Sequence, residues 1–347
     1  MDITDAQQMW DSGPGWLNTA SYGLPPEVGW AALQKALGDW RSGRGAWEEW
    51  QRSTESARAS YARLVGVGAE DVFSGSTVSA AMALIAAAIP DGSTVLVTDI
   101  EFASNVFPWS AHAHRGVEVV AAPVERLVER IDDGVDVVAI GLVQSATGQV
   151  SDLAAVSAAA RAAGALVIID ATQAVGWLPV DARLTDACVA DTYKWLMTPR
   201  GATFGYLSQQ LQELVHPGQS GWSAAVDDRY YGLEARLFED ARRYDQAPTW
   251  FTHVAAAPTL QLVEDIGIAT IHRHDVELAD AFRAGLGMAP GGSAIVSADV
   301  PGAEERFAAA DLRASVRDGR IRVSFHVYST QADVDLALNA LEGIVPA

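Results

Sequence analysis

The 347-residue sequence has a single cysteine, Cys188, so it can form neither an internal disulfide nor a cysteine-rich zinc module. Basic residues are scarce: 24 Lys plus Arg stand against 44 Asp plus Glu, a formal net charge of −20. Such a balance disfavours nucleic acid and anionic membrane as partners. Long apolar runs are also missing; the longest, 80–89, stops at Pro90-Asp91-Gly92, short of a membrane span. The opening MDITDAQQMWD carries no basic-then-apolar leader, and the expectation is a soluble, cytoplasmic chain. No G-x-G-x-x-G follows a strand pattern and no P-loop occurs, so dinucleotide and nucleoside triphosphate sites lack their fingerprints. His112 and His114, like His272 and His274, are two residues apart, which on a helix turns the rings to different faces; no metal site is expected.

What is present is globular. Hydrophobic residues make up 49% of the chain, and its length exceeds what one core usually serves, so two domains are expected. Residues 1–27, rich in Gly and Pro, read as an irregular N-terminal arm; 28–245 as a large unit; 246–347 as a small C-terminal α+β unit. Strand patterns at 95–98, 117–121, 135–143, 166–170 and 202–207 alternate with helix patterns at 78–88, 104–113 and 152–163, the last ended by Gly164. The C-terminal unit reads as helices at 251–266 and 269–286, a strand at 320–325 and a closing helix at 331–344. The fold class is therefore α/β: a three-layer sandwich around a mainly parallel sheet, plus the small C-terminal unit. In such sheets chemistry gathers beyond the strand C-terminal ends, which brings together 74–77, 99–105, 144–148, 170–173 and 191–194. Six of the eleven tryptophans fall in the first fifty residues, as core anchors or a subunit interface.

Three short segments could carry chemistry. Val72-Phe73-Ser74-Gly75-Ser76-Thr77 runs straight into an apolar helix, so Ser76 and Thr77 are either a plain N-cap or an anion site at a helix N-terminus. Val167-Ile168-Ile169-Asp170 ends an apolar strand on a carboxylate, a helix cap or a group that needs a cationic partner such as a pyridinium nitrogen. Tyr193-Lys194-Trp195 puts an amine between aromatics, where it either snorkels or serves as a Schiff-base amine of lowered pKa.

Taken together, this order resembles the fold-type I enzymes that use pyridoxal 5′-phosphate, and specifically the class V aminotransferase family. That family includes cysteine desulfurases, kynureninases and isopenicillin N epimerase-like enzymes. The likeness is strongest over 73–84, 101–109, 147–181, 193–206 and 320–334. It implies that Lys194 holds the cofactor as an internal aldimine and moves the substrate α-proton. It further implies that Asp170 pairs with the pyridine nitrogen, that Gln173 bonds the phenolic oxygen, and that Ser76, Thr77 and Tyr193 hold the phosphate. Phe102 would stack on the ring without acid or base function, and Trp109 would pack. Arg322, in Arg322-Val323-Ser324-Phe325-His326-Val327-Tyr328, would grip the substrate carboxylate, with Arg320 as the alternative. Asn18, in a Leu17-Asn18 segment, would lie near the substrate. Thr249, preceded by Pro248 where the family has Gly, would reach the phosphate of a neighbouring subunit, implying a homodimer with shared active sites.

The chain also departs from the family. Gln144-Ser145-Ala146-Thr147-Gly148 lacks the Asn many members carry, so Ser145 or Gln144 would serve differently there; Tyr328-Ser329 replaces Tyr-Asn, and His326 near Arg322 is either a substrate-pocket residue or plain packing. No cysteine follows Cys188, which reads as a small buried residue, and sulfur transfer through a protein persulfide is disfavoured. The expected function is a pyridoxal 5′-phosphate enzyme acting on a small α-amino acid or amine by aminotransferase-type chemistry. A lyase cleaving C–S or other bonds at Cβ or Cγ, an epimerase, and a catalytically silent cofactor-binding regulator are the alternatives.

Overall fold

The computed structural model describes residues 1–11, 13–226, 230–233 and 236–343. Helices α1 (Ile3–Gln7), α2 (Glu27–Arg41) and α3 (Trp47–Leu64) precede the first strand, β1 (Val72–Gly75). Then follow α4 (Val78–Ala86), β2 (Thr94–Thr98), α5 (Ala103–Ser110), β3 (Glu118–Ala122), β4 (Val137–Gly141), α6 (Leu153–Ala163), β5 (Leu166–Asp170), β6 (Ala187–Asp191), β7 (Thr203–Leu207) and α7 (Gln209–Leu214). The remainder is α8 (Trp250–Ile266), α9 (Ile268–Gly285), β8 (Ile295–Ala298), α10 (Ala303–Ala309), β9 (Ser315–Arg317), β10 (Arg320–Ser324) and α11 (Gln331–Ala340). The last residue of the closing helix expected from sequence, Ile344, lies outside the described residues.

Seven strands form one sheet in the order β1-β7-β6-β5-β4-β2-β3. Every neighbouring pair is parallel except those of β7, which runs against both β1 and β6. The sheet is covered on both faces, as its continuous apolar strands require. Val138 and Ile140 enter one core with Tyr61 of α3, Val156 of α6 and Leu260 of α8. Val137 and Ala139, on the opposite face, enter a second core with Met82 of α4 and Leu211 of α7. This is the three-layer sandwich read from the sequence.

Local signals set the ends of the helices. Asp152 accepts from Ala155 N at 3.0 Å to start α6, and Gly164, at φ +77°, ends it. Thr77 caps α4 through Ala80 N at 3.2 Å. In the C-terminal part β10 lies between β8 and β9, antiparallel to both, over a core that includes Phe282, Val323, Val334 and Leu17. Leu17 belongs to the stretch that joins α1 to α2. That stretch is stitched to the C-terminal sheet by Ser324 N of β10 to Leu17 O at 2.9 Å and to the loop after β6 by Gly23 N to Tyr193 O at 2.9 Å.

The tryptophans divide between roles. Trp10 is buried, whereas Trp47, Trp50, Trp250 and Phe251 form an aromatic junction where α8 crosses α2 and α3. Trp30 and Trp40 leave much of their surface exposed on α2. Among the described residues no single helix is long and apolar enough to cross a membrane.

Candidate active site

The strand ends deliver side chains to one crevice. Asp170 closes β5, Glu101 and Phe102 follow β2, Gly141 closes β4 with Ser145 beyond it, Gln173 follows Asp170, and Lys194 follows β6; all line the same hollow. Lys194 is 7% exposed, and burial holds its amine down at about 8 from an ordinary 10.5, with Asp170 acting in the opposite sense. Its Nζ stands 5.7 Å from the centre of the Phe102 ring and 5.7 Å from that of Tyr193. The Lys194 loop is pinned from several sides. Thr192 and Thr198 share a hydroxyl bond of 2.6 Å, and Met197, at φ +54°, makes the tight return. A Cβ on Gly23 would collide with Lys194 O, so only glycine lets the arm pass this close.

Asp170 is buried, and that burial raises its carboxyl; Thr172 N, at 2.9 Å, and the Lys194 charge oppose the rise. Glu101 is tied down more completely: Gly141 N and Thr98 Oγ1 donate to it at 2.9 Å and Phe102 N at 3.1 Å. Gln173 is a strut. Its amide nitrogen donates to Ala20 O at 2.9 Å and Ser145 Oγ at 3.0 Å, and its carbonyl accepts from Trp195 Nε1 at 2.8 Å. Reaching a cofactor oxygen would require it to exchange one of these bonds.

Arg322, from β10, is 1% exposed. It donates to Ser145 O at 2.5 Å, Ser21 Oγ at 2.9 Å and Ser315 Oγ at 3.1 Å, all neutral acceptors. With no carboxylate among the described residues to offset its burial, and Arg317 adding like charge, its guanidinium is pushed down to about 10. Arg320 points elsewhere, to Ser297. Asn18 does not bond Arg322; its Oδ1 accepts from Ser21 Oγ at 2.7 Å, so Ser21 is the bridge between them.

At the start of α4, Ser76 donates from both N and Oγ to Gln246 Oε1, at 3.1 and 2.8 Å. Asp191, to which the sequence pattern assigns a place at the strand ends but no role, accepts from Val78 N at 3.1 Å and from the Thr203 hydroxyl, and burial pushes its carboxyl up to about 6. Tyr193 lies under the Arg200 guanidinium at 4.4 Å. Thr249 donates to Gly201 O at 2.6 Å within the same chain. On the far side of Ser21 and Tyr193 lies a second, largely apolar cavity lined by Trp30, Leu33, Met197 and Ala255. Cys188 is buried beside Tyr61 Oη at 3.9 Å, and burial pushes its thiol up to about 12, which removes it as a nucleophile. Among the described residues no cluster of three or more metal-ligating groups occurs.

This donor set fits pyridoxal 5′-phosphate. A buried carboxylate whose carboxyl stays raised despite the Lys194 charge suits a protonated pyridine nitrogen, a half-exposed aromatic (Phe102, 52%) suits the ring face, and a buried amine of lowered pKa suits the aldehyde. The helix start beside Ser76 and Thr77 suits the phosphate.

Comparison with known proteins agrees. A family model described as aminotransferase class-V matches residues 32–304. The uncharacterized aminotransferase YcbU of Bacillus subtilis is 26% identical over 317 residues, covering 85% of each chain. A probable cysteine desulfurase of Methanothermobacter thermautotrophicus is 28% identical over 260 residues, covering 70% of this chain and 64% of the relative. Among solved structures, a complex of the cystine C–S lyase C-DES with cysteine persulfide superposes with a TM-score of 0.84 at 20% identity, covering 96% of this chain and 99% of the other; this is a likeness of fold.

Proposed function

The chain belongs to the class V aminotransferase family of pyridoxal 5′-phosphate-dependent enzymes, and from that premise we propose that it acts on a small α-amino acid or amine by aminotransferase-type chemistry. The observation that supports this most is the lone buried amine. The sequence has just two lysines, and the other, Lys35, stands on α2 with its side chain 75% exposed. Held near 8, Lys194 can both lose and regain a proton close to neutral pH.

The cofactor, when bound, supplies an electron sink that lets a proton leave the substrate Cα. Asp170 would hold the proton on the ring nitrogen, Gln173 would bond the ring's phenolic oxygen and Phe102 would cover one ring face. Ser76, Thr77 and Tyr193 would take the phosphate, and Thr249 would serve that of the partner subunit in a homodimer. Arg322 would bind the substrate carboxylate beside Ser21 and Asn18. Lys194 would take the Cα proton and return it to a neighbouring atom on the same side. Glu101, the other carboxylate lining the crevice among the described residues, has its oxygens occupied by amide and hydroxyl donors. Among the described residues lining the crevice, neither carboxylate is free to act as a second base opposite Lys194, which favours aminotransfer over epimerisation.

Elimination with C–S cleavage is the second reading, supported by a relative named as a cysteine desulfurase. The buried thiol of Cys188 cannot collect sulfur, so such a lyase would release it directly to solvent. Incubating the loaded protein with an amino-acid panel, with and without 2-oxo acids, separates the readings. A new amino acid marks aminotransfer, sulfide or ammonia marks elimination, and no turnover of any member contradicts both.

In the same reading 1–27 is an arm, 28–245 the cofactor unit and 246–347 the C-terminal unit, whose first helix, α8, carries the connection by lying on α2 and α3. The location is cytoplasmic. Trp30, Leu37 and Trp40, seven and three residues apart, leave an apolar stripe exposed on α2, which supports the homodimer. Sedimentation should give twice the chain mass of 36.8 kDa, and a monomer at micromolar concentration would contradict the shared site.

Asp191 adds a pH dependence. Its carboxyl, pushed up to about 6, is neutral below that pH and negative above it, so repulsion of a phosphate at the start of α4 is absent at low pH and present at pH 8. Between pH 6 and 8 the cofactor affinity of the native protein relative to Asp191→Asn should fall by roughly threefold to tenfold, whatever the trend that Lys194 imposes on both. Absorbance titrations of the cofactor-free proteins measure this, and the comparison cancels the cofactor's own ionisation.

A further inference from the structure

Alternate residues at the end of β10 and in the turn just past it each reach out of the C-terminal sheet. Arg322 Nη1 donates to Ser145 O at 2.5 Å, Ser324 Oγ accepts from Ala20 N at 2.9 Å, and His326 Nε2 meets Trp195 O at 2.9 Å. Trp195 directly follows Lys194, so the last contact falls one peptide from the amine-bearing residue. A backbone carbonyl only accepts, so Nε2 carries a proton. On the other side of the ring, Nδ1 lies 2.8 Å from Asp275 Oδ2, a contact that holds a second proton between the two groups.

Both side chains are wholly buried, and among the described residues Asp275 Oδ1 has no partner. A buried imidazole–carboxyl pair with a bare oxygen is a poor device for stability, since an apolar pair of the same size would pack as well. Its geometric effect is specific. It holds the Trp195 carbonyl while Gln173 Oε1 holds the indole N–H at 2.8 Å, and the indole and imidazole rings pack edge to face with centres 5.2 Å apart. Gly176 completes the seat, because a Cβ there would overlap the Trp195 carbonyl.

We propose that His326, backed by Asp275, is a positioning residue that fixes the Lys194 loop to β10, so that the Lys194 amine and the Arg322 guanidinium keep one separation for a substrate that must touch both. This rests on the roles assigned above to Lys194 and Arg322. It explains why the carboxylate-binding arginine on β10 and an anchor for the lysine stand four residues apart in one short segment: moving either end moves the other.

The two-lysine sequence makes the test direct. Gln in place of His326 sets its amide nitrogen about where Nε2 stands and still donates to Trp195 O, whereas Asn is one methylene too short. In cofactor-free protein, graded labelling with an amine-reactive reagent across pH, read by peptide mass, gives the reactivity of Lys194 with Lys35 as internal reference. His326→Asn is expected to change the Lys194 labelling rate on the order of tenfold with Lys35 unchanged, and His326→Gln to stay within about twofold of the native protein. In the loaded protein, His326→Asn should release cofactor about tenfold faster than His326→Gln. Thermal unfolding confirms that each variant is folded. Native Lys194 reactivity in folded His326→Asn, or equal changes in both variants, would overturn the proposal. Absence of any borohydride-reducible cofactor link in the native protein would overturn the functional reading instead, and the labelling comparison would still test the anchor.

Discussion

Lys194→Ala is expected to abolish the visible absorption of covalently held cofactor and to lower kcat/KM by more than about a thousandfold. The reason lies in composition as much as in geometry. With Lys35 exposed on α2, the crevice has no other amine that could replace Lys194 in holding the cofactor or moving the Cα proton. Folding should survive, because Ala removes a buried amine whose charge the interior already disfavours. A small amine such as methylamine, diffusing into the vacated space, should restore part of the activity. The native protein carries a companion signature. Only the neutral amine attacks an aldehyde, and burial lowers the pKa of Lys194 to about 8, so covalent uptake by cofactor-free protein should rise with pH and level off above 8. An uptake rate still climbing steeply at pH 10 would mean an ordinary, solvated lysine.

The second large effect is expected at Arg322. Arg322→Ala should cost about 2–4 kcal/mol of transition-state binding for α-amino acids, roughly 30-fold to 1000-fold in kcat/KM, and most of it in KM. Its guanidinium is buried, meets only neutral oxygens from Ser21, Ser145 and Ser315, and is held down at about 10 by that burial. A carboxylate is the group that would relieve this cost, and its two oxygens match the planar fork. Arg322→Lys should recover little, since an ammonium offers no fork. An amine substrate lacking the carboxylate should be nearly indifferent to either change. Equal losses for both substrate types would reduce Arg322 to a structural link between β10 and the Ser145 loop.

Much of the fold was legible because apolar strands and capped helices are local signals. β5 and the helix ended by Gly164 stand where the pattern put them, and β2, β4 and β7 differ by a residue or two at their ends. β1 and β6 were missed. Val72–Gly75 ends in Ser and Gly, and Ala187–Asp191 is short, with small residues that carry little strand propensity; both are strands because neighbours pair with them. The reversed direction of β7 is a property of the loop geometry after Lys194 and leaves no trace in periodicity. In the C-terminal unit β8, β9 and α10 were too short to stand out.

The site divides in the same way. Asp170, Gln173 and Lys194 announce themselves within short motifs. The partners that give Arg322, Asp191 and His326 their meaning are 177, 113 and 51 residues away in the chain, so only the fold brings them together. Asp191 illustrates the limit: in sequence it is one more acidic residue of an acidic protein, and in space it is a carboxylate at the helix start assigned to a phosphate.

The central claim is that this chain holds pyridoxal 5′-phosphate through Lys194. Borohydride reduction of the loaded protein followed by peptide mass mapping tests it most directly. The account predicts one reduced cofactor per chain, on the peptide containing Lys194 and absent from Lys194→Ala. Label on Lys35 alone, or a protein that takes up no reducible cofactor, would contradict it.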